Sequence, residues 1–148
     1  MPGLRSAAGG DAGAIRSLLE HNGLPTSDLA SARPEFVVAC EGTGLLGAGA
    51  LERFGTTALL RSVVVATERR GAGVGQRIVR ELEQRARAAG VRELVLLTQT
   101  AESFFRRQGY RVVERGSIAQ AVQMSEEFRS LCPASAICMA KALADPDE

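Results

Sequence analysis

Residues Leu59–Ala86, LLRSVVVATERRGAGVGQRIVRELEQRA, constrain the fold more than any other stretch of this chain. The run Val63-Val64-Val65 is β-branched and unbroken, the composition of a strand covered on both faces. ATERRGAGVG then turns the chain, and the residues after it carry a helical period. Val74, Ile78, Val79, Leu82 and Ala86 fall on one stripe, with Arg77, Arg80, Glu81, Gln84 and Arg87 elsewhere around it. Glu81–Arg85 and Glu83–Arg87 are spaced i, i+4 with the acid first, the better order along a helix. The stretch is therefore a strand, a basic glycine loop (Gly71, Gly73, Gly75) and a helix. That arrangement suits an anion. A helix start leaves N–H groups without intrahelical partners, its dipole adds positive potential, and glycines let a phosphate reach the donors. Arg69 and Arg70 add full charges beside them.

Spacing narrows the anion. A triphosphatase loop needs a Lys after its glycines, and none is present. The dinucleotide fingerprint needs Gly-x-Gly-x-x-Gly, but here the third glycine comes one place early. The pattern is Arg70-x-x-Gly73-x-Gly75 directly after a strand. It resembles the acetyl-CoA pyrophosphate loop of the GNAT superfamily of N-acetyltransferases, (Arg or Gln)-x-x-Gly-x-(Gly or Ala). Glycines serving only tight packing would carry an entropic cost without evident gain.

The chain has 148 residues, one ordinary domain spanning 1–148. That is long enough to bury about 70% of the surface its unfolded form exposes. A formal charge of +1 leaves no basic patch or tail, which argues against nucleic acid or an acidic membrane as partner. No apolar run approaches a membrane span and MPGLRSAAGG lacks a signal peptide's apolar core, so the expectation is a soluble, cytoplasmic protein. Three cysteines, Cys40, Cys132 and Cys138, fit reduced thiols better than a disulfide framework.

Along the chain, Gly3–Ala8 reads as a first strand. Asp11 stands at an N-cap ahead of Ile15, Leu18 and Leu19, in a helix that stops near Asn22-Gly23. Leu24–Ala32 is short helix or loop. Phe36–Cys40 and Leu45–Leu51 form a hairpin, and Gly55-Thr56 turns into the central strand. Gly90 caps the long helix. Leu94–Leu97 is a second buried strand, parallel to the central one through a right-handed crossover.

Thr98–Tyr110, TQTAESFFRRQGY, reads as a short helix ending at Gly109, then a strand at Tyr110–Val113. It is similar to the second GNAT motif, Asn-x-x-Ala-x-x-(Leu or Phe)-Tyr-x-x-x-Gly-(Phe or Tyr), with Ala101, Phe104, Phe105, Gly109 and Tyr110 in register. Thr98 replaces the common Asn. Phe105 stands where a Tyr often protonates the leaving thiolate, and a Phe cannot donate a proton. Gly116–Leu143 holds helix-compatible AQAVQMSEEF, then RSLCPAS, then an apolar strand Ala136–Ala140. LLTQTAESFFRRQGY with EEFRSLCPASAICMAKAL resembles the branch holding the acetyltransferase domains of N-acetylglutamate synthases. It is similar, closer still, to small GNAT proteins associated with arsenic-resistance operons.

The resemblance implies an α/β GNAT fold, a mixed central sheet of about six to seven strands splayed in the middle and flanked by about four helices. It implies acetyl-CoA as acyl donor, no metal, and a small-molecule amine as acceptor, with a homodimer left open. Pantetheine would lie in the splay against Val63, Val64 and Val65, a backbone N–H of the central strand polarising the thioester carbonyl. The pyrophosphate would sit on Arg70, Gly71, Ala72, Gly73, Val74 and Gly75, with Phe104 and Arg107 as further cofactor contacts. The family's usual Glu falls at Leu59, so no base carries over. Glu52 on the preceding strand is the nearest candidate, or else a solvated edge residue. His21, the only histidine, sits at a helix end far from both motifs.

Arg61 lies in an otherwise apolar strand and, by strict alternation, points with Val63 and Val65. Buried there, it needs an acidic partner. A substrate carboxylate held bidentately and an internal Glu both fit. Cys132 and Cys138 read as inert buried thiols, with a soft ion such as trivalent arsenic as the alternative. The function expected is transfer of acetyl to a small amine, an amino acid or amino-acid-like toxin. The alternatives are a catalytically weak acyl-CoA sensor, suggested by Leu59 and Phe105, and a thiol-based arsenic-binding resistance protein.

Overall fold

Seven strands form one mixed sheet in the computed structural model, which describes residues 3–42, 44–66, 70–71, 73–131 and 135–143. They are β1 (Gly3–Ser6), β2 (Glu35–Glu41), β3 (Gly44–Phe54), β4 (Thr57–Val65), β5 (Glu93–Thr98), β6 (Arg111–Val112) and β7 (Ile137–Ala142), in spatial order β1-β2-β3-β4-β5-β7-β6. All neighbours are antiparallel except β4 and β5. Among the described residues the α-helices are α1 (Ala12–His21), α2 (Leu29–Ala32), α3 (Val74–Ala88), α4 (Glu102–Arg107) and α5 (Gln120–Gln123). That agrees with the expected number of about four, two of the five, α2 and α5, being single turns.

Strand alternation divides the core between two faces. Val37, Ala39, Leu60, Leu94, Leu96 and Met139 pack under α3 and against Phe105 and Tyr110. On the other face Ile15 and Leu19 of α1 meet Val38, Ala48 and Val64. Further along it, Leu59, Val95, Cys138 and Ala140 meet Ile118, Val122 and Phe128. The predicted stripe of α3 is buried as read, and Glu81–Arg85 pairs at 2.8 Å. Glu83 differs from its expected role as an i, i+4 partner of Arg87. It is 4% exposed, accepting from the Tyr110 hydroxyl at 2.8 Å and pairing with Lys141 at 3.1 Å. A buried charge needs such partners, and these tie α3 to the chain's last strand.

AQAVQMSEEF does not continue as one helix. After α5 the chain passes into a π-helical turn, Glu127–Leu131. The Ser125 hydroxyl accepts from the Phe128 N–H at 3.3 Å, a local competitor of the helical bond.

Two irregularities position the site. The parallel β4–β5 ladder covers only Thr57↔Glu93, Ala58↔Leu94 and Leu59↔Val95. Beyond it the strands separate, so Leu60–Val65 and Leu96–Thr98 flank a gap. The second is a register shift in the β3–β4 ladder, where Arg61 opposes Ala50 but Val64 opposes Ala48. Two β4 residues therefore oppose one on β3, and Ser62 there adopts φ 58. This bulge reverses the side-chain alternation. Leu60, Val63 and Val65 face α3, whereas Leu59 and Val64 face the opposite layers. The expectation that Arg61 points with Val63 and Val65 is thus corrected: an extra residue stands between them.

On β3, Gly49 lets α3 come close. A Cβ there would lie 2.7 Å from Ile78 Cγ2 and 2.9 Å from Leu82 Cδ1. Gly49→Ala should cost about 1–3 kcal/mol of stability by overpacking. Denaturant titration of the two proteins measures it, and an unchanged midpoint would show that α3 retreats freely.

Candidate functional site

The gap between β4 and β5 is the middle of one cavity of about 940 Å³. Its walls include Leu60–Val65 on one side and Leu96–Ala101 on the other. One end is closed by Arg70, Gly71 and Gly73–Gln76, the other by Arg61, Ser62, Glu127 and Ala136. The volume lies within the range of ordinary ligand sites.

The glycine end has the geometry of an anion cradle. Gly73 is the N-cap of α3 with φ 81, a left-handed conformation, and no side chain caps the helix start. The first helical bond runs from Arg77 N to Gly73 O at 3.1 Å. The N–H groups of the preceding turn therefore face the cavity without intrahelical partners. Arg70 donates to Val65 O at 3.4 Å and to Asn22 Oδ1 at 2.5 Å, which holds its guanidinium at the cavity mouth. Val74 and Gly75 line the cavity, and a Cβ at Gly75 would already lie 3.4 Å from the Phe104 ring. Arg69, Ala72 and Cys132, all named from the sequence, lie outside the described residues.

The α4 wall presents Phe104, Phe105 and Arg107 to the same cavity. Phe105 is 6% exposed, its ring 5.0 Å from Phe104 and 5.6 Å from Tyr110, both edge-on. Thr98 does part of what an Asn there would do: its hydroxyl accepts from the Ala101 N–H at 3.0 Å and fixes the start of α4. Leu59 is fully buried, and directly across the ladder from it stands Glu52.

At the other end Arg61 is the centre of a buried ionic cluster. Its side chain has no exposed surface. Nη1 and Nη2 donate to the two Asp28 oxygens at 2.6 and 2.7 Å, a bidentate pair. Nη1 also reaches Glu52 Oε1 at 3.0 Å, and Nε lies 3.6 Å from Glu127 Oε1. Of the two partners left open for Arg61 in the sequence, internal carboxylates occupy its fork here. Burial works against its charge, but the Asp28 hydrogen bonds, with Glu127 and Glu52 nearby, outweigh that and hold the guanidinium ionised. Glu52 is turned onto Arg61 and is not among the cavity's lining residues, while Glu127 is. Burial raises Glu127, Arg61 lowers it, and Asp28 and Glu52 raise it, which together bring it up to about 7.

Asp28 and Glu127 were not singled out by sequence. Asp28 sits in a polar turn and Glu127 in a stretch read only as helix-compatible, and only the requirement that Arg61 find an acid pointed toward either. His21 is exposed in the last turn of α1. Among the described residues no group of three or more His, Cys, Asp or Glu is arranged to hold a metal ion. No described helix is long and apolar enough to cross a membrane.

A family model described as an acetyltransferase (GNAT) domain matches residues 32–112. Among solved structures, N-acetylglutamate synthase from Neisseria gonorrhoeae, complexed with coenzyme A and N-acetyl-glutamate, superposes with TM-score 0.84 at 19% identity. The match covers 97% of this chain and 35% of that one, so the chain spans about a third of the synthase. Rv2747 from Mycobacterium tuberculosis, solved with CoA, gives TM-score 0.82 at 25% identity over 97% of this chain and 100% of that one. The ribosomal-protein-S18-alanine N-acetyltransferase of Escherichia coli gives 0.75 at 17% identity, covering 97% and 95%. No curated protein matches by sequence.

The cluster makes two expectations. Arg61→Gln leaves three carboxylates around a neutral amide. It should destabilise the fold by about 3–5 kcal/mol, read from denaturant midpoints, with acetyl-CoA affinity unchanged. For Glu127, the folded chain holds a proton to about 7, whereas the unfolded side chain loses it near 4.5. Stability from that proton is complete below the lower value and is lost as pH rises through the upper one. Glu127→Gln removes the slope, so its melting temperature relative to wild type should climb between roughly pH 5 and pH 8. A constant difference over that window would mean Glu127 ionises as an ordinary carboxylate.

Proposed function

This chain belongs to the GNAT family of acetyltransferases, and we propose that it transfers the acetyl group of acetyl-CoA to the amine of a small molecule, with amino acids and amino-acid-like toxins as the first candidates. The observation that carries this reading is the split between β4 and β5, opening at one end onto an uncapped, glycine-bounded helix start. A thioester with a long amide-bearing arm and a pyrophosphate has the shape and charge for that gap. Gly71, Gly73, Val74 and Gly75 would present N–H groups to the pyrophosphate, with Arg70 adding charge. Val63–Val65, left without a strand partner on the β5 side, would offer backbone groups to the arm and an N–H to the thioester carbonyl. Phe104 would cover the arm and Arg107 flank it. The N-acetylglutamate synthase neighbour, with its bound N-acetyl-glutamate, supports an amino-acid acceptor.

The chemistry needs the carbonyl polarised, a neutral amine and a route for the thiolate. Phe105 supplies no proton, so the thiolate takes one from the attacking nitrogen or from water. An acceptor carboxylate, if present, is not met by Arg61, whose fork Asp28 fills. The apolar residues Leu59 and Phe105 favour one second reading, an acyl-CoA sensor with weak catalysis. The arsenic-binding alternative has less support: the Cys138 thiol is 3% exposed and burial pushes it up to about 11.

Gly73→Asp puts a carboxylate where the pyrophosphate would lie. CoA affinity should fall at least about 100-fold by calorimetry, about 2.7 kcal/mol. Unchanged affinity in a folded variant would remove the anion site from this loop. Thiol release from acetyl-CoA with an amine panel separates the transferase from the sensor, which binds CoA and releases none.

A further inference from the structure

We infer that Glu127 takes the proton of the acceptor's ammonium group, and that the acceptor enters this end of the cavity as a cation. The inference rests on the transferase reading and supplies what that reading leaves open: the proton acceptor and the charge class of the amine.

Glu127 is 5% exposed yet lines the same cavity as Val63–Val65 and the glycine loop. It is carried there by the π-helical turn that follows α5. Asp28 and Glu52 sit behind Arg61 and do not line the cavity, so they reach a ligand through the field alone. Asp28, Glu52 and Glu127 surround the single guanidinium of Arg61, an excess of negative charge away from water. Low-dielectric surroundings make such an excess attractive to a cation and repulsive to an anion. Arg61 is fully engaged by Asp28, which leaves the cavity end no free cation from this cluster.

The Glu127 carboxylate is also free to act. Its distance of 3.6 Å to Arg61 Nε is an ion pair and not a hydrogen bond. The groups facing it are Arg61 from β4, Asp28 from the turn before α2 and Glu52 from β3. On its own turn Glu126 and Arg129 are exposed, and Arg115 lies over the adjacent Phe128 ring at 5.7 Å. Burial and two like charges outweigh the one opposite charge, bringing the group to about 7, where a general base works best at neutral pH. Arg61 is a positioning residue here: held by Asp28 and Glu52, it keeps Glu127 from rising further.

The step balances. The ammonium R–NH3+ gives one proton to Glu127 and becomes R–NH2. The nitrogen attacks the thioester carbon, a C–N bond forms and the C–S bond breaks. The second nitrogen proton leaves with the thiolate as CoA thiol, and Glu127 returns its proton to solvent.

The test compares wild type, Glu127→Gln and Glu127→Asp at saturating acetyl-CoA. Thiol release is followed with primary amines and their neutral hydroxyl isosteres, from about pH 5.5 to about pH 9. Wild type should show an ascending kcat limb near 7. Glu127→Gln should lose that limb and about 100-fold or more in kcat, with KM for acetyl-CoA within about twofold. Glu127→Asp should keep the limb at reduced kcat, which a purely structural role does not predict. Ammonium ligands should compete at least about tenfold better than the hydroxyl isosteres. A Gln variant with the wild-type rate and limb overturns the assignment while leaving the transferase reading intact. A wild type that binds CoA but acetylates nothing sinks that reading, and this inference with it. Should both variants fail to fold, carboxyl NMR of glutamate-labelled wild type decides: a group titrating near 7 that responds to added amine supports the role, and its absence overturns it.

Discussion

Arg61 is the charge around which the second face of the sheet is built. A guanidinium with no exposed surface in the middle of an apolar strand is tolerable only if acids come to it. They come from three separate places: Asp28 before α2, Glu52 on β3 and Glu127 in the π-helical turn. Each is thereby fixed against β4. The cluster separates two apolar groups on that face, one around α1 and one around α5. It forms the end of the cavity where the two meet.

The same strand serves the opposite face through a different device. The bulge at Ser62 turns Val63 and Val65 toward α3 while leaving Arg61 and Val64 on the other side. A residue at φ 58 is unfavourable, and such outliers are retained where the surrounding structure demands them. Here it lets one strand place a charge in the ionic cluster and apolar side chains under the long helix within five residues. The early end of the β4–β5 ladder then frees the β5-side edge of β4, the edge against which a thioester arm can lie.

The cavity that results is polarised along its length. At one end, helix-start N–H groups and Arg70 offer positive potential. At the other, acids outnumber Arg61. A donor carrying an anion at its far end and an acceptor carrying a cation would be drawn in opposite directions and meet between them. Such a field would give the reactants an order, with the apolar side chains of Leu60, Leu96, Phe104 and Phe105 lining the cavity between its ends.

The sequence by itself determined the periodic parts and the glycine-bounded start of α3. Strand and helix periods depend on residues a few positions apart, so the stripe of α3, the strands on either side of it and the glycines at its start were all legible locally. The stop at Gly90 was legible too, where Val91 N bonds back to Ala86 O at 2.9 Å. The ionic cluster around Arg61 was decided by tertiary structure alone. The bulge at Ser62 has no local signature, so alternation placed Arg61 on the wrong face. Glu83 read as a partner of nearby Arg87 because its actual partners Tyr110 and Lys141 lie 27 and 58 residues away. Glu127 read only as part of a helix-compatible stretch, whereas the π-helical turn carries it to Arg61. Desolvation and charge pairing depend on which atoms end up adjacent, and for these residues adjacency comes from long-range packing rather than from neighbours in the chain.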